Sequence, residues 1–291
     1  MCAASRDGIP ADRAGDLDGG KDAEVTSPQL SFERRGSGPP LLLVHGLGAS
    51  WPSWSPILDR LAAHREVIAI DLPGFGDSPP VRGRVSIAAL ADAVADFIAA
   101  QGLAGVDTVG SSMGARIVLE LARRGVGGST VALSPGGFWS PGELRFLSTS
   151  LRASVWLVLH LQPAMSTLMA SAAGRTALLS QFSVAPWRLP EDVALHEMRS
   201  FARAVSLHEA LDALVEGPLQ AGAPAGSAPG RVTIGWGRQD RVTLPRQAVR
   251  AQQLFPDADL YWFERCGHFP MWDQPHQTAE LILARTGLRA S

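Results

Sequence analysis

Val109-Gly110-Ser111-Ser112-Met113-Gly114 has the form strand, Gly-x-Ser-x-Gly, helix, which sets a serine hydroxyl on a sharp strand-to-helix turn. The pentapeptide alone is a weak signal in a chain with 30 glycines, so its flanks decide the reading. Upstream, residues 105–109 are short, β-branched and opened by glycine, the profile of a buried strand. Downstream, residues 115–124 place Ile117, Val118 and Leu121 on one helical face and end in Arg123-Arg124-Gly125, cations and glycine where a helix C-terminus favours them. Ser112 therefore sits where a strand becomes a helix, and it is the candidate nucleophile.

The same rhythm extends to both sides. Leu41-Leu42-Leu43-Val44 is a continuous apolar run, opened by Pro39-Pro40 and closed by His45-Gly46-Leu47-Gly48, as a central strand buried on both faces should be. A helix is expected over residues 54–64 and a second buried strand over 67–70, ending in Asp71-Leu72-Pro73-Gly74-Phe75-Gly76-Asp77-Ser78. A strongly apolar helix follows over 87–100, and another strand over 129–133. Later come a strand at 231–237, a helix at 245–255, a strand at 259–263 and a closing helix at 274–285. Strict alternation of strands and helices predicts an α/β protein with a mostly parallel sheet, helices on both faces, and ligands bound at the carboxyl ends of the strands.

The alternation stops between residues 138 and 217, where helical patterns run on without a strand. This is an expected helical insertion, rich in Leu, Ala, Met and Trp, and residues 217–230 are a Gly/Pro/Ala/Ser connection back to the sheet. The expected organisation is a core made of residues 29–137 and 218–291, a helical cap over 138–217, and a disordered extension over 1–28. The cap leaves the sheet at the edge that carries Ser112. Its residues Trp156, Leu157, Leu159, Met165, Leu168, Met169 and Phe182 are expected to supply apolar lining to a pocket there.

Length and charge narrow the function classes. At 291 residues with a formal net charge of −2, the chain can bury a large core, and it has no basic stripe interleaved with aromatics, which argues against nucleic acid as a partner. A small molecule is the expected partner. The two cysteines, Cys2 and Cys266, do not make a disulfide scaffold and fit a reducing, cytoplasmic setting. Residues 1–28 contain no apolar signal region, and the most apolar run, 155–161, is far shorter than the roughly 20 residues that span a bilayer.

A serine hydroxyl needs a histidine base, itself oriented by a buried carboxylate. Asp240 follows the strand at 231–237, and His268 follows the next strand, so all three groups leave the same sheet edge. Asp257 and Asp259 are alternative acids. Asp240 also reads as a turn or cap residue before Thr243-Leu244-Pro245. His45 reads as a loop-packing residue. Cys266 reads as a buried filler rather than a nucleophile. His196-Glu197 and His208-Glu209 lack a second histidine at helical spacing, so neither forms a zinc-protease motif. Gly74 and Gly76 lack the third glycine and following helix of a dinucleotide site, and no metal or cofactor is implied.

With the order Ser112, Asp240, His268 in place, the sequence resembles the α/β-hydrolase superfamily. Four motifs carry the likeness: His45-Gly46-Leu47-Gly48, Asp71 to Ser78, the serine turn, and Gly267-His268-Phe269-Pro270 with Asp273-Gln274-Pro275. It departs at Ser111, where many members have histidine or asparagine, and at Ala115, where many have glycine. The resemblance implies an oxyanion hole made by the N–H groups of Leu47 and Met113. It further implies a serine hydrolase acting on carboxylic esters or related acyl compounds through an acyl-enzyme, without cofactor. The same triad also serves carbon–carbon bond hydrolases and cofactor-free haloperoxidase-like perhydrolases, and a relative that binds ligands without turnover is a further class.

Overall fold

The computed structural model describes Met1 and residues 29–287; the expected N-terminal extension lies outside the described residues apart from Met1. Seven strands form one sheet in the order β1-β3-β2-β4-β5-β6-β7. They are β1 (Phe32–Arg35), β2 (Pro40–Val44), β3 (Glu66–Ile70), β4 (Asp107–Ser111), β5 (Thr130–Leu133), β6 (Val232–Gly237) and β7 (Asp259–Phe263). β1 pairs antiparallel with β3, and all other neighbours are parallel. Parallel neighbours need crossovers, and α1 (Ser55–Ala62), α2 (Ile87–Ala100), α3 (Met113–Arg123) and α9 (Gln247–Leu254) lie in the connections, with α10 (Pro270–Asp273) and α11 (Pro275–Arg285) closing the chain.

Alternation along the strands sends neighbours to opposite faces. Leu42, Val44, Ile68 and Ile70 belong to one core with α2 and α3; Leu41, Leu43, Val67 and Ala69 belong to another with Trp54, Ile57, Leu61 and Ile282. That double burial is why β2 and β3 read as unbroken apolar runs. β1 was not apparent in the sequence because Phe-Glu-Arg-Arg is an edge strand, with Arg34 and Arg35 exposed. The expected helix at 54–64 is α1, Ser55–Ala62, with Pro56 near its start, and a 3-10 turn at Trp51–Trp54 leads into it.

Between β5 and β6 the described chain has no strand. It forms α4 (Pro141–His160), α5 (Met165–Ala170), α6 (Ala172–Leu179), α7 (Glu191–Arg203) and α8 (Leu207–Val215). α4 starts at a capping box in which Ser140 and Glu143 exchange hydrogen bonds, satisfying N–H groups that a helix start leaves open. Val158, Met165, Met169, Leu179, Leu189, Ala194 and Met198 form a small core within this segment. No helix among the described residues is long and apolar enough to cross a membrane.

Candidate active site

The turn after β4 places Ser112 at φ 55°, ψ −113°, a conformation that L residues rarely adopt and that costs on the order of 1–3 kcal/mol. Close packing holds it there. A Cβ at Gly110 would lie 2.3 Å from the Gly114 carbonyl oxygen, and one at Gly114 would lie 2.1 Å from that of Val44, so only glycine lets α3 start this close to the sheet. The Ser112 N–H donates to Leu133 O at 2.9 Å. The hydroxyl is thereby lifted clear of the strand ends.

β6 and β7 deliver the other two groups. The Ser112 hydroxyl and His268 Nε2 are 2.9 Å apart, and His268 Nδ1 is 2.9 Å from Asp240 Oδ2. Asp240 and His268 are almost wholly buried. Asp240 Oδ1 accepts from the N–H groups of Val242 at 2.8 Å and Thr243 at 3.0 Å, while Oδ2 also accepts from the Thr243 hydroxyl at 2.8 Å. Asp240 is thus a turn residue and a partner of histidine at once. A carboxylate only accepts, so the Nδ1 facing it carries the proton and Nε2 is left to accept from Ser112. Asp257 and Asp259 stand apart from this relay: Asp257 accepts from Gly226 N–H, and Asp259 pairs with Arg285 at 2.9 Å.

The loop after β2 passes beside Ser112. A Cβ at Gly46 would lie 3.2 Å from Ser112 Cβ, so the chain immediately before Leu47 packs against the serine. Met113 is the first residue of α3, where helix geometry provides no intrahelical partner for its N–H and the helix dipole favours negative charge. His45 pins the loop: its Nδ1–H donates to Gly46 O at 2.7 Å, and its Nε2 accepts from Leu72 N–H at 2.9 Å. Burial lowers its pKa, so it stays a neutral structural group. The Asp71 carboxylate likewise serves the backbone, accepting from Trp51 N–H at 2.7 Å and Asp77 N–H at 3.0 Å. Cys266 is buried, and burial raises its thiol pKa far above the usual range, which leaves it unreactive.

Two supports of this site were not visible in the sequence. The Ser50 hydroxyl is hydrogen-bonded to His196 Nε2 at 3.0 Å and accepts from Ser200 at 3.3 Å, so α7 holds the far end of the Leu47 loop. The Thr243 hydroxyl, as above, bonds the same Asp240 oxygen that faces His268. Neither contact has a local sequence signal, since each joins residues distant in the chain or follows from the turn geometry.

The expected apolar lining is only partly where the sequence suggested. Trp156 and Leu157 are 59% and 40% exposed, on the outer side of α4, and the Trp156 ring lies tilted against that of His160, one turn away, with centroids 4.2 Å apart. Met165 and Met169 are fully buried in the core of the helical segment itself. A thin helical layer has both an inner and an outer face, and apolar composition alone does not say which residue lies on which. Phe182, by contrast, lies with its ring 6.4 Å from that of His268. A broad depression of about 1060 Å³ lined by Pro40, Arg65, Asp107 and Arg285 is at the amino ends of the strands, opposite Ser112; its cations are already paired, Arg65 with Asp107 and Arg285 with Asp259.

A sequence profile described as the alpha/beta hydrolase family matches residues 41–281. The dihydrolipoyllysine-residue acetyltransferase component of the acetoin cleaving system of Cupriavidus necator is 29% identical, over 96% of this chain and 72% of its own. The 2-hydroxy-6-oxo-2,4-heptadienoate hydrolase of Pseudomonas putida is 27% identical, over 85% of this chain and 88% of its own. A thermophilic esterase from Thermogutta terrifontis superposes with a TM-score of 0.68 at 22% identity, over 88% and 92% of the two chains, a likeness of fold alone. Sheet order, serine turn and profile agree, and the chain belongs to the alpha/beta hydrolase family.

Proposed function

We propose that this chain is a serine hydrolase of carboxylic esters or related acyl compounds, with small and largely apolar substrates. The family and its named hydrolase relative support hydrolysis as the reaction class. The observation that carries the finer reading is the hydrogen-bonded relay of Ser112, His268 and Asp240, with 2.9 Å at both steps. In this reading Ser112 Oγ attacks the carbonyl carbon as its proton passes to His268 Nε2. Asp240 stabilises the imidazolium, and the Leu47 and Met113 N–H groups hold the oxyanion. His268 then returns the proton to the leaving alcohol, and water repeats the sequence to release the acid and free Ser112. Residues 138–217 act as a cap over a core of 29–137 and 218–291.

The test is labelling of Ser112 by a fluorophosphonate together with turnover of p-nitrophenyl esters, with Ser112→Ala as the blank. Labelling and turnover that both vanish in the variant are expected. Labelling without turnover of any ester, lactone or diketone would replace the hydrolase reading with a ligand-binding one. A carbon–carbon bond hydrolase is the second reading, favoured by the name of the Pseudomonas putida relative. Faster turnover of a vinylogous diketone than of any ester would select it.

A further inference from the structure

Asp273 lies outside the relay, yet its carboxylate gathers donors from two separate parts of the chain. Oδ2 accepts from Gly267 N–H at 2.7 Å, beside His268, and from Val184 N–H at 3.1 Å; Oδ1 accepts from the Ser183 hydroxyl at 2.5 Å. Next to it, the Phe182 carbonyl accepts from His268 N–H at 2.8 Å and Phe269 N–H at 3.3 Å. The Phe182 and Phe269 rings stack with centroids 5.9 Å apart and planes 20° apart. A Cβ at Gly267 would lie 2.8 Å from Phe182 O, so the two backbones meet in direct contact.

We propose that Asp273 is a positioning residue for the catalytic base, fastening the His268 loop to residues 182–184 of the helical segment. The inference rests on the reading of His268 as general base. A carboxylate is acceptor-only, and hydrogen bonds to it are about twice as strong as neutral ones. One such group with three donors, plus a carbonyl with two, fixes the main chain from which the imidazole projects. Residues 182–184 are therefore part of the mount of the base. Movement of that segment away from the sheet would take the backbone acceptor of His268 with it, so alignment of the relay depends on how this segment is seated. A misplacement of about 1 Å costs on the order of a hundredfold in rate.

The experiment compares Asp273→Ala, Asp273→Asn and Ser183→Ala with the wild type in full-length protein, with circular dichroism and thermal melting to normalise to folded enzyme. Two readouts are taken: p-nitrophenyl ester kinetics, and the low-field proton resonance of the His268 Nδ1–H that faces Asp240. For Asp273→Ala we expect kcat per folded enzyme to fall roughly tenfold to a hundredfold, with KM within about twofold, and the low-field resonance to broaden or disappear. Asp273→Asn, which keeps one acceptor oxygen, should recover part of both, and Ser183→Ala should show the smallest loss. If Asp273→Ala does not fold, the Asn and Ser183→Ala variants carry the comparison. Wild-type kcat and an intact resonance in folded Asp273 variants would overturn the proposal, whatever happens to their melting temperature. Failure of the wild type to react with a fluorophosphonate would instead strike the serine-hydrolase reading, and the resonance comparison would still decide the role of Asp273.

Discussion

Close packing around Ser112 accompanies its φ of 55°, so the catalytic role proposed for it is set against local stability. Replacing it with glycine, which adopts such angles freely, should raise stability by about 1–2 kcal/mol over Ser112→Ala. Denaturant melts of the two inactive variants measure this, and equal midpoints would mean that the turn is relaxed. Ser112→Ala and His268→Ala should each lower kcat by roughly a thousandfold or more with folding intact, and Asp240→Asn should also be severely impaired; near-normal rates in any of them would remove that residue from the relay. At this scale the relay residues were legible because each sits in a motif with local form: Gly-x-Ser-x-Gly, a strand-end Asp, Gly-His-Phe-Pro. Thr243, Ser50 and His196 act through contacts that no local pattern announces, and Asp273, though it stands in the Asp273-Gln274-Pro275 motif, bonds Ser183 and Val184, which that motif does not announce.

Among the elements, α7 shows what burial does to a carboxyl group. Glu197 is 3% exposed, its Oε1 has no hydrogen-bond partner, and burial, opposed by Ser53, pushes its pKa up to about 7 from 4.5. The folded state therefore holds a proton that the unfolded state releases. This group's stabilising contribution is full below the unfolded value of 4.5 and is lost as pH rises through about 7, a difference of roughly 3 kcal/mol. In Glu197→Gln that loss is absent, so the variant should gain on the wild type as pH rises from 4.5 to 8.5. Chemical denaturation at several pH values tests it, and a gap independent of pH would show that Glu197 is ionised alike in both states. The elements most easily read from sequence were those with strong periodicity or double burial, such as α2, β2 and β3. β1 escaped because a charged edge strand has neither, and the 3-10 turn before α1 because its apolar tryptophans imitate the helix that follows. The division of apolar residues between the inner and outer faces of α4 depends on neighbours that only the fold supplies.

On the scale of the whole molecule, the helical segment is tied to both working loops of the sheet edge. His196 and Ser200 hold the loop that carries Leu47, and residues 182–184 hold the loop that carries His268. Seven of its side chains, Val158, Met165, Met169, Leu179, Leu189, Ala194 and Met198, are buried in a core of its own, so its tightness does not derive from the sheet alone. Substrate selection should then depend on the few apolar groups that lie beside the relay and little on the outer face. Within the helical segment, Phe182 has its ring 6.4 Å from that of His268, while Trp156 is 59% exposed. For the proposed ester reaction, each buried methylene of the acyl chain adds ~0.8 kcal/mol, up to roughly tenfold in kcat/KM per one or two methylenes until the space is full. Comparing p-nitrophenyl acetate through octanoate should therefore give a rising series in the wild type and in Trp156→Ala. Phe182→Ala should move the length at which the series stops rising, because it removes a ring beside the reacting centre and leaves space there. A series that is flat from acetate onward, or one that Trp156→Ala changes and Phe182→Ala does not, would show that this face of the segment takes no part in choosing the acyl group.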